Sequence, residues 1–254
     1  YGSRAAAGVI LITTKRGSRS GVNIDYSTFS AIERPTNMPG FVGATRYMQM
    51  QNELAWNQIA NLPNNEFSIH PQQLIADYDA LNAQDPDKYP NTKWLDYILK
   101  DHALRHNHFL SISGGDEKRR TKIGIGYDHS GGLFKYNLSY GRVTARINND
   151  IKINKFISAT ADVFSNLEKN VNPSYSPSAQ MRYAAPIYAA EYLDGRLAEG
   201  KTGTNPYGLL RYGGKIDKGG TQLGGRGVLD VTPLEGLKLS VIFSPEYNFS
   251  KSKN

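Results

Sequence analysis

The chain has no cysteine in its 254 residues. A disulfide framework and a thiolate metal site are therefore excluded. Tryptophan occurs twice and methionine four times. No run approaches the ~18 consecutive apolar residues that a membrane helix needs. A membrane barrel stays open, because a barrel strand is apolar on one face only and its mean hydropathy remains low. Long blocks of one charge are also missing. Lys and Arg number 30 against 23 Asp and Glu, a formal net charge of +7 at pH 7. They are scattered, whereas nucleic-acid binding calls for a clustered basic face, so no nucleic-acid partner is expected. There is no nucleophile elbow or Ser-His-Asp signature, and no catalytic residue is assigned. The chain shows neither a repeat unit nor a low-complexity tract.

Alternation with a period of two is present along most of the chain, as for strands with one wetted face. Val22, Ile24 and Tyr26 alternate with Asn23, Asp25 and Ser27. His108, Leu110 and Ile112 oppose Asn107, Ser111 and Ser113. The same rhythm runs through 121–128, 142–148, 157–163 and 237–244. The reading is about seven strands, most of them about ten residues long, enough to cross a bilayer when tilted. Globular strands are usually nearer five or six residues.

The connections alternate in length. Short ones are expected at 114–117, 149–150 and 232–236, and long ones at roughly 32–103, 129–141 and 167–221. Transmembrane barrels pair short periplasmic turns with long external loops; a sandwich has no reason to. The expected fold is all-β: about seven antiparallel strands of a larger transmembrane β-barrel. Bacterial single-chain barrels close with even strand numbers, so seven implies a segment that does not close by itself. The first long connection carries amphipathic spacing over 44–60 and a second helical pattern over 71–81, with Pro71 at an early position. Turn chemistry follows in 85–92. The runner-up fold is a soluble all-β carbohydrate-binding module.

Several local patterns invite chemistry. His102, His106 and His108 suggest a metal site, but His pairs on a strand more often sit at a rim or in packing, so no metal is assigned. Asp85 and Asp87 open a faint calcium loop, yet its sixth and twelfth positions hold Pro90 and Asp96 instead of Gly and Glu. The glycine run 219–227 lacks the Gly-Lys-Ser/Thr ending of a phosphate loop; its glycines bend a strand or leave space beside it. Asp162 and Asp230 are acids of the kind a polar lumen carries. No cofactor is expected. The third long connection holds Tyr175, Tyr183, Tyr188, Tyr192, Tyr207 and Tyr212. Sugars stack on aromatic rings and bond to their polar tips, so these six are the candidate substrate contacts.

Four ordered patches resemble one family. Residues 1–17 read Tyr1-Gly2-Ser3-Arg4-Ala5-Ala6-Ala7-Gly8-Val9-Ile10-Leu11-Ile12-Thr13-Thr14-Lys15-Arg16-Gly17. This run is similar to the end of the plug domain in TonB-dependent outer-membrane transporters of the SusC/RagA class. Tyr89-Pro90-Asn91-Thr92-Lys93-Trp94-Leu95-Asp96 resembles the segment before the second strand, with Lys93 in place of the usual Asp. The stretch 106–115 resembles a strand and turn of the class, with Phe109 as an extra residue, and Arg142–Asn148 resembles another strand. The resemblance implies a plugged barrel of roughly 22 strands, with residues 1–19 ending the plug and 20–254 beginning the barrel. It implies import of oligosaccharides or peptides across the Gram-negative outer membrane, driven by the TonB complex acting on the rest of the plug. The implied partners are outer-membrane lipids, a SusD-like surface lipoprotein and the oligosaccharide or peptide ligand. Within that frame, Val9–Ile12 form a buried plug strand, and Arg4, Lys15 and Arg16 latch the plug to carboxylates of the inner barrel wall.

Overall fold

The computed structural model describes residues 14–18 and 21–253. Gly2, Arg4, Gly8 and the expected plug strand Val9–Ile12 lie outside the described residues. Strand β1 (Val22–Glu33) leads into a long connection with helices α1 (Ala44–Gln58), α2 (Gln72–Gln84) and α3 (Trp94–Ile98). Four strands follow: β2 (Ala103–Gly115), β3 (Arg119–Ser130), β4 (Ser139–Lys152) and β5 (Ile157–Pro173). Helices α4 (Pro177–Met181) and α5 (Pro206–Tyr212) precede β6 (Lys215–Leu234), β7 (Leu237–Phe243) and β8 (Glu246–Lys253).

From β1 to β6 each strand pairs antiparallel with the next in chain order. Strands β7 and β8 both pair with β6, opposite Gly227–Leu234 and Asp217–Gly224 respectively. They are two halves of one edge strand. The break falls at Pro245, which has no N–H for the ladder, although its carbonyl still accepts from the Gly225 amide at 2.9 Å. The sheet is therefore seven strands wide, as the alternation predicts, and it stays open between β1 and the β7/β8 edge.

Register sorts the residues into two faces. Ile24, Ile112, Ile123, Ile147 and Val163 form one continuous cross-strand row. The neighbouring row holds Tyr26, Leu110, Ile125, Ala145, Ser165, Leu223 and Tyr247. Most of these large apolar side chains are exposed, Ile24 by 67% and Tyr247 by 64%. The other face carries Asp25, Ser111, Gly124, Arg146, Phe164, Gly224 and Glu246 in one row. There the buried residues are mostly polar, Ser111, Ser113, Asp128 and Asn148, with Ala103 at the start of β2. The sheet thus inverts the usual globular arrangement, in which apolar faces are covered. Along β5 the apolar face runs from Ile157 to Leu167. Ten steps of ~3.3 Å at a tilt near 40° give about 25 Å, the height of the apolar band on a membrane barrel.

Two expected boundaries move. Asn149 and Asp150 are inside β4, not in a turn; the turn falls at 153–156. Asn149 accepts from the Thr121 hydroxyl at 3.1 Å, and Asp150 pairs with Arg120 at 3.1 Å. The turn is made by Asn154, whose Oδ1 accepts from the amides of Phe156 and Ile157 at 2.8 and 2.9 Å. The third connection contracts from 167–221 to 174–214, because residues 166–172 pair with the glycine-rich start of β6. A ladder needs only backbone groups, so glycines do not stop it.

The hydrophobic clusters of the described residues lie in the connections at the long-loop end. One gathers Trp94, Ile98, Ala190, Tyr207 and Leu210, with Phe134 and Tyr136 packed against it. Another gathers Ala44, Met48, Ile75 and Tyr78. All three long connections contribute. Trp94 Nε1 donates to the Ala185 carbonyl at 2.9 Å, and Asn137 Nδ2 to that of Leu210 at 3.0 Å. The segment 89–96 is the keystone. Asn91 Oδ1 accepts from the first amide of α1 at 3.0 Å, and the Pro90 carbonyl accepts from the Tyr78 hydroxyl at 3.0 Å. Asp85 and Asp87 serve the same scaffold, accepting from the amides of Lys88 and Leu193.

Candidate functional site

The polar face of the sheet is crossed by the segment Thr14–Ser18. Arg16 is its anchor. The guanidinium grips Asp162 of β5 with two bonds, Nη1 to Oδ1 at 2.5 Å and Nη2 to Oδ2 at 3.0 Å. Asp150 of β4 lies 3.5 Å from the same Nη1 and also pairs with Arg120 of β3. A two-pronged guanidinium matches a carboxylate in a way that a lysine does not. The hydrogen bond to Asp162 is the main reason that the Arg16 pKa is raised above its usual value. Partial burial opposes that rise, and the charges of Asp162 and Asp150 assist it. Asn148 adds a bond from Nδ2 to the Thr14 hydroxyl at 2.7 Å.

Gly17 makes this approach possible. A Cβ there would sit 2.6–2.9 Å from backbone atoms of Thr121. Any side chain would lift the segment off β3. The sequence signal for Gly17 is only that a glycine follows a cationic pair, which says nothing about what passes behind it. Lys15 differs from Arg16: it is exposed and has no carboxylate partner among the described residues. It lines a cavity of about 730 Å³ together with Thr14, Asp25, Phe109, Lys122, Arg146 and Phe164. Arg4 lies outside the described residues.

The cavity keeps its room through two flattened rings. Phe109 lies over Gly124 and Gly126, with ring atoms 3.0–3.4 Å from where their Cβ atoms would be. Phe164 lies over Gly224 in the same manner, and the Arg146 guanidinium sits 5.5 Å from its ring centre. The glycines of the 219–227 run thus let the strand carry an aromatic from its neighbour. Farther along the polar face, Asp128 is buried between Arg105 and Arg142, at 3.3 and 3.8 Å. Asp230 is held by Ser240 at 2.6 Å and Lys238 at 3.0 Å.

The six candidate tyrosines are not equivalent. Tyr183, Tyr212 and Tyr175 are open, at 74%, 61% and 48% exposure. Tyr188 and Tyr192 are half-buried. Tyr207 is 6% exposed, packs edge-on to Tyr97 at 5.3 Å, and has little ring to offer a ligand. Burial pushes its hydroxyl up to about 12. Arg211 accompanies it, donating to the Tyr207 hydroxyl, reaching Glu191 at 3.6 Å, and stacking 5.1 Å from the Tyr212 ring. Of the three histidines, His106 and His108 lie on the apolar face at its long-loop end, where His129 joins them 5.2 Å from His106. Tyr26 stacks on His108, with its hydroxyl bonded to Nδ1 at 2.7 Å. Among the described residues no group of His, Asp and Glu is arranged to hold a metal.

No family profile matches the chain. A TonB-dependent receptor of Formosa agariphila is 26% identical over 168 residues, covering 63% of this chain and 14% of the relative. The TonB-dependent receptor SusC of Bacteroides thetaiotaomicron is 27% identical over 149 residues, 58% of this chain and 12% of the relative. The chain therefore spans about one seventh of the curated relatives that it matches. Among solved structures, the RagAB peptide importer in its closed-closed state superposes with a TM-score of 0.70 at 19% identity, covering 99% of this chain and 31% of that one. A second RagAB structure gives 0.69. The open sheet thus has the fold of a stretch of that importer's barrel wall. Sequence relatives and fold neighbours agree: the chain is similar to SusC/RagA-type TonB-dependent receptors over most of its length.

Proposed function

We propose that the chain works in TonB-dependent import across the Gram-negative outer membrane, with residues 1–19 closing the plug and 20–254 opening the barrel wall. The observation that carries this reading is the Arg16 anchor. A segment preceding the first strand crosses the polar face and is held there by a two-pronged ion pair to Asp162. Such a pair is strong enough to seat a plug, and its modest net stability leaves it breakable by force. The exposed apolar face argues against a soluble carbohydrate-binding module, since water would have to cover it. The cargo class is an oligosaccharide or a peptide. Tyr175, Tyr183 and Tyr212 are the accessible rings for it, and a SusD-like lipoprotein covers the external connections. The relatives are receptors and a transporter, so no catalysis is assigned.

The latch is tested in the full-length parent protein. Arg16→Glu should raise entry of a large antibiotic several-fold, and adding Asp162→Arg should restore the seal. Permeability unchanged by Arg16→Glu would remove the latch from the mechanism. Cargo class is read from growth of a strain lacking the parent gene on single glycans and peptides. Loss on one nutrient, with growth on its monomers intact, would establish import; normal growth on every nutrient would count against it.

A further inference from the structure

The polar face carries its positive charges in two ways. Arg120, Arg105 and Arg142 each meet a carboxylate, at 3.1, 3.3 and 3.8 Å. Lys15, Lys122 and Arg146 line the cavity of about 730 Å³ and have no ion-pair partner among the described residues. Register brings these three together. Lys122 of β3 stands opposite Asn148 of β4, and Arg146 is two residues from Asn148 on the same face. Such diagonal neighbours are roughly 7 Å apart. Asn148 also donates to the Thr14 hydroxyl, and Lys15 follows Thr14 in the chain. The carboxylates nearest in register are taken, Asp162 by Arg16 at 2.5 Å and Asp150 by Arg120 at 3.1 Å. Among the described residues Asp25 is the one acid that lines the cavity, and it accepts from the Ser111 hydroxyl at 3.4 Å. Two apolar platforms flank the cations. Phe109 of β2 and Phe164 of β5 lie against glycines of the neighbouring strand. They stand three strand spacings apart, about 14 Å. Thr144 and Asn166 add a hydroxyl and an amide to the same lining.

From this geometry we infer that the cavity is a transit site for a carboxylate-bearing oligosaccharide, so that the imported cargo is acidic. The inference rests on the import reading proposed above and narrows its cargo. A concave surface lined by one sign of charge concentrates its field on an incoming counter-ion. The Arg146 guanidinium, 5.5 Å from the Phe164 ring centre, presents a planar fork that matches a carboxylate. The two phenyl faces suit the apolar face of a sugar ring, and the hydroxyl and amide groups suit its rim. A peptide fits less well. Extended peptides gain affinity on sheets by pairing their main chain with an open strand edge, and β2 to β5 are paired on both sides. The site is also divided between two bodies. Lys15 rides on the segment that Arg16 seats, whereas Lys122 and Arg146 belong to the wall. Withdrawal of that segment removes one of the three cations, so cargo release is coupled to movement of the plug.

The test uses the full-length parent transporter, purified in detergent, with binding followed by isothermal titration calorimetry. The probes are trisaccharides of galacturonate, glucuronate and mannuronate, each beside its carboxyl-reduced counterpart, and triglutamate beside triglutamine. The wild type should bind a uronate trisaccharide about tenfold more tightly than its reduced form, the scale of one charge-assisted hydrogen bond. Lys122→Gln/Arg146→Gln should remove that preference. Lys169→Gln/Lys251→Gln, which takes as much charge from the opposite face, should keep it. Heat-modifiable mobility on a gel shows that each variant has folded. A wild type with no preference for any uronate would overturn the inference, as would a preference that survives in the folded Lys122→Gln/Arg146→Gln variant. A preference for triglutamate alone would overturn it in favour of an acidic peptide. Fractionation comes first. Recovery of the transporter in the soluble fraction would sink the import reading and this inference with it. Outer-membrane recovery with no uronate preference would sink this inference alone.

Discussion

The wall and the cap of this molecule solve opposite problems. In the wall, Ile24, Val241 and Phe243 are 67%, 69% and 71% exposed, while Ser111, Asp128 and Asn148 are buried. In the cap, Met48, Ile98 and Leu210 are at most 1% exposed. Both are built from ordinary residue types, so the difference lies in the surroundings each part expects. The cap makes its own hydrophobic core in water from three connections. The wall satisfies its backbone by strand pairing and, on the import reading proposed above, leaves its apolar face to lipid. Stability of the cap should therefore follow side-chain packing, and that of the wall should follow the medium.

The largest expected effect is in the cap. Trp94→Ala removes a ring that is 4% exposed and its bond to Ala185. A loss of about 3–5 kcal/mol is expected for such a truncation. Limited proteolysis of the full-length protein should cut the external connections faster, while the barrel keeps its heat-modifiable mobility. If the barrel unfolds along with the cap, the two regions are not independent. Next comes the wall. Ile123→Arg should cost ~2–4 kcal/mol in a bilayer, as for a charge near the middle of a lipid face. Urea titration of the variant folded into vesicles measures this. A near-zero cost would mean that water wets that face.

The smallest effect separates a turn from both regions. Asp116 joins β2 to β3 and accepts from the amides of Lys118 and Arg119 at 2.7 and 2.8 Å. Those bonds hold its carboxyl below the usual carboxylate value. A depressed acid stabilises the fold above its unfolded value and loses that contribution as pH falls through the folded one. The wild type should therefore lose a little stability on acidification below about pH 4 that Asp116→Asn does not lose. Thermal midpoints of both proteins at neutral and acid pH give the comparison. Parallel curves would show that the turn bonds carry no charge dependence.

How far the wall was readable is clear from its rows. The alternation of His108, Leu110 and Ile112 with Asn107, Ser111 and Ser113 placed each residue on the face that it occupies. Helices α1 and α2 fall where amphipathic spacing put them, within a few residues. The misses have one cause. Asn149 and Asp150 look like turn residues because turns favour them, yet Asp150 is needed inside β4 to face Arg16 and Arg120. Phe109 looks like a surplus apolar residue on a polar face, until Gly124 and Gly126 are found beneath it. Tyr207 has the same composition signal as Tyr212, and only packing against Trp94 and Tyr97 sets them apart.

By itself, then, the sequence determined the strands, their two faces and the rhythm of short and long connections, because each follows from neighbours a few residues apart. The tertiary structure alone decided that Arg16 meets Asp162, that Gly17 passes over Thr121, and that three distant connections share one core. Those contacts join residues tens to more than a hundred positions apart, and no local periodicity records which distant partner a side chain meets.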